Sequence, residues 1–349
     1  MRAQILAAVF LLGAFAAYAQ DTSTPQPSQM KDPRAILAAA APFYDFSDPT
    51  LKPFHLKATY QLYDEKGNPA EQGTFEYWWA SPKVYRDSWS RPGATRTYWH
   101  TADGKEAYVE TGERLGYFEK ILPSNLFSPL PSAEAINPSK IYLIRNDVKL
   151  GGNRFPCVSE APLKGDEPSD FRLLPTRCFD PALPVLRFQF DSQGFVTTSY
   201  DKFAEFQGKY QARSIQILGG DQKLFTAAVD ATNAIDPSDS ALVPSEDAIF
   251  KPDAPHATGG LELGFLTKNQ PPVYPPIAKA ERLQGSVLIG TTIDVDGKIK
   301  DPRVLLSPSP ILSAASIDCV SQWRYKPTLQ NGIPIEVDTL INLVFILGR

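Results

Sequence analysis

Histidine and cysteine are scarce in this chain, and the scarcity narrows the chemistry it can do. Its 349 residues hold three of each, and the histidines, His55, His100 and His256, lie in three distant regions. There is no H-E-x-x-H and no His/Cys cluster of metal-ligand spacing, so no zinc motif is present. G-x-S-x-G, G-x-x-x-x-G-K-[ST] and a G-x-G-x-x-G ahead of a helix are also missing. The paired carboxylates Asp64-Glu65 and Glu246-Asp247 sit in turn-like and linker-like text, where solvation explains them. The expectation is therefore a non-enzyme with no catalytic residues, no metal and no cofactor. Basic charge is low too: 35 Lys and Arg stand against 39 Asp and Glu, a net charge of −4. Nucleic acid needs a concentrated basic face, so it is not an expected partner.

Long apolar runs are missing after the amino terminus. There, Arg2 precedes a nearly unbroken run from Ile5 to Ala19, and Ala17-Tyr18-Ala19 is an A-x-A cleavage pattern before Gln20. That run is shorter than the ~20 residues a helix needs to span a bilayer. We read residues 1–19 as a signal peptide and expect export to the periplasm; the alternative is an inner-membrane anchor formed by the same residues. A chain of this length with 43% hydrophobic residues can build two cores. The expected layout is a segment with a short helix at 20–44, an antiparallel β domain at 45–234, an acidic Pro-rich linker at 235–265 and a small domain at 266–349. The stretch 235–260 holds four prolines, five acidic residues and one lysine, poor material for a core and good material for a tether.

Cys157 and Cys178 flank a stretch with Pro162, Gly165, Asp166, Pro168 and Pro175, as two strands joined by a long connection would. In an oxidising compartment a disulfide between them is expected. Cys319 falls on an apolar helical face and reads as a small buried hydrophobe.

The carboxy-terminal eighty residues carry the strongest pattern. Val287, Ile289, Thr291, Ile293 and Val295 lie on one side of an extended segment, and Asp296-Gly297 suits a tight hairpin turn into a second strand near Lys298–Leu306. Leu312, Ala315, Cys319 and Trp323 then recur at helical spacing, and Pro327 cannot continue a helix, which should end near Trp323 to Tyr325. From Ile335 a final strand alternates. Tyr274-Pro275, Gln284-Gly285, Asp296-Gly297 and the run Trp323-Arg324-Tyr325-Lys326-Pro327 stand in the order and spacing of the C-terminal domain of the TonB family. The resemblance covers about Gln270 to Leu347. It implies a periplasmic module that engages outer-membrane receptors or other envelope proteins by β-augmentation, in which a foreign extended segment completes an open sheet edge. Carried onto this chain, that edge falls on Ile335, Val337, Thr339, Ile341, Leu343 and Phe345. The competing reading is that the strand only closes its own sheet or pairs with a second copy as a homodimer. Tyr274, Pro275, Gly285, Asp296, Gly297, Trp323, Tyr325 and Pro327 read as structural. Energy transducers of this family keep an amino-terminal membrane helix and a long spacer, so cleavage at Ala19 would remove the link to a motor.

The middle of the chain is β-rich. After a helix capped by Asp32, with Pro33 at its first position and continuing from Ala35 to Ala41, strands are expected at His55–Tyr63, Gly73–Ala80, Val84–Trp89, Thr95–His100 and Glu106–Glu110. More follow at Lys140–Leu150, Phe155–Glu160, Val185–Asp191, Thr197–Phe206 and Tyr210–Leu218, with a second helix around Pro123–Ile136. Such a curved antiparallel sheet over helices is similar to the half-barrel of periplasmic lipoprotein carriers of the LolA and LolB type. That resemblance implies a concave face able to hold a lipid, with Trp78, Trp79, Trp89 and Trp99 as candidate lipid-facing residues. Packing of the sheet on its helices is the simpler explanation of the same aromatics. Adjacent Trp78 and Trp79 must face opposite sides. The fold class is thus α+β: a LolA-like half-barrel joined by a linker to a small TonB-like ββαβ domain. The carrier reading, with the TonB-like module as a targeting domain, is the alternative function.

Overall fold

A computed structural model describes residues 26–131, 136, 141–162, 174–191, 195–251 and 260–347. The expected signal segment, His256 and most of the loop between Cys157 and Cys178 lie outside them. Helix α1 (Pro33–Ala40) opens the described chain, with the Asp32 carboxylate accepting from the Arg34 N–H at 2.9 Å and Pro33 at its first position. A meander follows: β1 (Phe54–Tyr63), β2 (Pro69–Ser81), β3 (Val84–Arg91), β4 (Ala94–His100) and β5 (Glu106–Gly112). Next come α2 (Tyr117–Phe127) and a second meander, β6 (Ile141–Leu150), β7 (Asn153–Pro162), β8 (Thr176–Phe179), β9 (Leu186–Phe190), β10 (Val196–Phe206), β11 (Lys209–Gly219) and β12 (Gln222–Ala234). The short β13 (Ile249–Phe250) completes one sheet of order β13-β5-β4-β3-β2-β1-β12-β11-β10-β9-β8-β7-β6, antiparallel throughout. The two meanders meet where β1 pairs with β12.

That order dictates the position of α2. Strands β5 and β6 lie on opposite flanks of the sheet, so the chain joining them must cross a face, and α2 packs on that face. Phe118, Leu122 and Leu126 of α2 are buried in a core with Phe54, Tyr60 and Phe225. The second helix therefore starts earlier than the sequence suggested and keeps Pro123 inside it. Two polar side chains of α2 reach the sheet. Glu119 Oε1 accepts from Tyr60 Oη at 2.7 Å and from Arg91 Nε at 3.1 Å. Asn125 Oδ1 accepts from Tyr200 Oη at 2.5 Å. These bonds satisfy groups that would otherwise be costly in an apolar core.

Cys157 faces Cys178 across the β7–β8 ladder, and the two form a disulfide. Part of the expected tether is fastened rather than free. Ile235 N–H donates to Pro53 O at 3.1 Å and Lys251 N–H to Glu106 O at 2.8 Å. Between them the Ala241 carbonyl accepts from Trp99 Nε1 at 3.1 Å and Arg86 Nη1 at 3.4 Å. A chain so attached cannot act as a free spacer over 235–251.

The C-terminal part contains β14 (Leu261–Glu262), β15 (Leu266–Lys268), α3 (Pro276–Ala280), β16 (Gly285–Ile293), β17 (Ile299–Leu306), α4 (Pro310–Val320), β18 (Arg324–Tyr325), β19 (Thr328–Gln330), β20 (Ile333–Ile335) and β21 (Val337–Phe345). Its main sheet has the order β17-β16-β21. The molecule is α+β, as its sequence indicated. Among the described residues no helix is long and apolar enough to cross a membrane.

Candidate functional site: the outer edge of the small sheet

Strand β16 is the centre of the small sheet and β21 lies at its margin. The β16–β21 register runs unbroken from Gly285↔Phe345 to Ile293↔Val337. No described strand pairs with the other side of β21. A margin of this kind presents N–H and C=O groups that a further backbone could complete. The period of two sends Ile341, Leu343 and Phe345 inward, to a cluster with Val287, Ile289, Leu312 and Val320 of β16 and α4. These residues hold the strand in place by their side chains, while Val337 and Thr339 are half-buried and outside that cluster. Ile335 does not belong to this strand. It pairs with Thr328 in the β19–β20 hairpin, and Glu336 separates that hairpin from the long strand. On the other face, Leu340 packs against the first domain's core, while Val344 and Ile346 are 54% and 71% exposed.

The motif residues found in the sequence come together as the frame of this sheet. Tyr274 donates its hydroxyl to Leu283 O and meets Phe345 edge-on, with ring centroids 5.4 Å apart. Pro275 is the residue before α3. Gly285 has φ +137°, and a Cβ there would lie 3.2 Å from Pro308. The hairpin loop is organised by Asp294, whose carboxylate accepts from the N–H groups of Asp296 and Lys298 at 2.9 and 2.8 Å. Sequence reading missed Asp294, although an Asx turn is a local signal. Gly297 has φ +77°, and a Cβ would fall 1.9 Å from the Tyr325 carbonyl oxygen. Tyr325 N–H in turn donates to Gly297 O at 2.8 Å, so only glycine fits the crossing.

Trp323 lies past the end of α4, not within it. Its Nε1 donates to Gln270 O at 3.0 Å, the same carbonyl that Cys319 Sγ approaches at 2.8 Å. Burial pushes the Cys319 thiol pKa up. Gln270 thus ties the entry of the domain to its helix, a role no motif announced. Pro327 separates β18 from β19.

The tryptophans of the first domain divide between its faces. Trp79 and Trp89 are packed into the core beneath α2, 1% and 4% exposed. Trp78 and Trp99 lie on the opposite face, with the Arg86 guanidinium 4.2 and 5.4 Å from their ring centroids. The four therefore do not line one concave surface. His55 pairs with Glu76 at 2.8 Å and stacks on Trp78, while His100 stacks on Tyr85 at 4.0 Å and burial lowers its pKa. Among the described residues no group of three His, Cys, Asp or Glu could hold a metal ion.

Comparison with known proteins places this frame. Residues 270–347 match the family described as Gram-negative bacterial TonB protein C-terminal. Protein TonB of Pseudomonas aeruginosa is 33% identical over 89 residues, 23% of this chain and 26% of that protein. The chain thus spans about a quarter of that relative's length. The solution structure of the Pseudomonas aeruginosa TonB C-terminal domain is 29% identical, with 25% of this chain and 88% of that one covered and a TM-score of 0.23. A LolA superfamily protein from Nitrosomonas europaea covers 60% of this chain and 97% of its own, at 8% identity and a TM-score of 0.32. The C-terminal quarter of the chain is accordingly similar to the C-terminal domain of TonB.

Proposed function

We propose that this is a non-enzymatic periplasmic protein whose C-terminal domain binds an extended segment of an outer-membrane receptor, or of another envelope protein, in a process linked to transmembrane transport. The observation that carries the reading is β21, a nine-residue strand paired on one side only. Its inward side chains are held by a core of their own, so its backbone is presented without cost to the fold. Binding would then rest on main-chain hydrogen bonds, with exposed Val344 and Ile346 available to grip a partner's side chains. The similarity of residues 270–347 to the TonB C-terminal domain supports the same assignment. The carrier reading asks more of the molecule, because α2 packs on the face of the large sheet that carries Tyr60 and Tyr200 and is bonded to both through Glu119 and Asn125.

The test uses the alternation of the strand. Successive residues point their N–H groups to opposite sides and the register is unbroken, so of Thr339→Pro and Val344→Pro, neither of them in the inward cluster, one removes a bond to β16 and the other removes a group from the open margin. Peptides from extended, periplasm-facing segments of outer-membrane receptors would be titrated against both variants by calorimetry. The expected outcome is one variant that unfolds more easily, and one that keeps its unfolding midpoint and loses binding at least tenfold. Binding unchanged in the well-folded variant would show that the margin is not the site.

A further inference from the structure

The small sheet has a second face, and α2 covers it. Tyr117 of α2 lies over Gly290 of β16, where a Cβ would come within 3.2 Å of the tyrosine. Leu288 and Leu306 join the large domain's core. Around this apolar patch stand charges. Lys120 Nζ of α2 meets Asp338 Oδ1 of β21 at 2.7 Å, and Thr292 donates to the same oxygen at 2.6 Å. Arg114 meets Asp301 at 3.1 Å. Asp301 has φ +49°, in the left-handed region, at a bulge in β17, a conformation an L residue holds at a cost.

We infer that α2 and β21 form a reversible latch, holding the C-terminal domain closed on the first domain by charge and releasing it as an intact unit. Three observations separate this from a permanent interface. The ion pairs are partly open to solvent, with side chains 28% and 31% exposed for Lys120 and Asp338 and about half exposed for Arg114 and Asp301, and pairs of that kind hold weakly and are screened by salt. Asn342 Oδ1 is buried with no hydrogen-bond partner, a cost that opening relieves. Finally, the C-terminal domain keeps a separate core under α4, and α2 keeps its inward anchors to Tyr60 and Tyr200, so neither side needs the other to stay folded. Because Lys120 grips the strand that carries the open margin, release would free β21 and uncover α2 in one event. The inference does not depend on what β21 binds.

Hydroxyl-radical labelling of the full chain tests it, because release exposes interface side chains while the backbone bonds of both domains stay made. Lys120→Glu should raise labelling of Leu288 and Leu306, buried when the latch is closed, at least threefold, and the swap Lys120→Glu with Asp338→Lys should return both to wild-type values. In the unmodified protein, raising NaCl from ~0.05 to ~0.5 M, which shortens the screening length about threefold, should raise labelling of the same two leucines and leave buried Phe54 and Phe225 unchanged. Labelling in Lys120→Glu equal to wild type, or a swap that fails to restore protection, would overturn the latch. If Lys120→Glu lowers the overall unfolding midpoint, the salt series decides: no salt response at Leu288 and Leu306 overturns it.

Discussion

At the scale of single residues, the most telling arrangement is Trp89 with Glu119 and Pro123. A proline inside a helix has no N–H for the carbonyl four residues earlier, which here is that of Glu119. The donor comes from the sheet instead: Trp89 Nε1 reaches Glu119 O at 3.2 Å. Trp89→Phe keeps an aromatic ring in the core but leaves that carbonyl unpaired, at an expected cost of about 1–3 kcal/mol beyond the lost ring volume. Pro123→Ala supplies an N–H to the same carbonyl, so Trp89→Phe should cost at least ~1 kcal/mol less in that background. Urea midpoints of the four proteins measure the difference, and an equal cost in both backgrounds would refute the account. This pairing was not legible in the sequence. A proline reads locally as a helix start, and the residue that compensates for it is separated by 30 positions from the carbonyl it serves. By contrast, Gly297 and Tyr274 could be read because the turn and the domain start they make are short-range.

Whole elements were legible where alternation was clean and not where it was blurred. Strands β1 to β5 follow the expected spans closely. Strand β12 went unread although it pairs with β1 at the junction of the two meanders, because Ala227, Ala228, Ala231 and Ala234 weaken the β signal in its sequence. Strand β8 was anticipated only as a strand around Cys178, without a span; it has four residues, and what fixes it is its pairing on both sides and the bridge from Cys178 to Cys157. Phe155 and Phe188 pack edge-on beside that bridge at 5.1 Å. With a sequence separation of 21, chain-entropy reasoning assigns the disulfide about 3 kcal/mol. The double variant Cys157→Ala, Cys178→Ala should lose about that much in urea unfolding, and reduction of the wild-type protein should lower its midpoint comparably. A midpoint unmoved by both would mean that the β7–β8–β9 ladder alone holds this flank.

For the molecule as a whole, α2 is the shared middle layer, with the large sheet on one side and the small sheet on the other. Composition and period suggested two β-rich parts and a tether but not the contact between the parts, since Leu288 and Leu306 look like any strand residues until they join the core that contains α2, with Leu306 beside Gly219. Their burial has a measurable consequence. At about 1.5 kcal/mol for each leucine withdrawn from water, their loss removes ~3 kcal/mol of support from the large domain. A domain of this size changes by roughly 2–4 °C per kcal/mol, so a fragment of residues 26–251 should melt about 6–12 °C below the same domain in the full chain. Calorimetry on both would show it, and the fragment should also bind a hydrophobic dye through the uncovered Tyr117 side of α2. Equal melting temperatures would mean that the small sheet rests on α2 without stabilising it, which would place the entire role of the contact in holding β21 rather than in supporting the first domain.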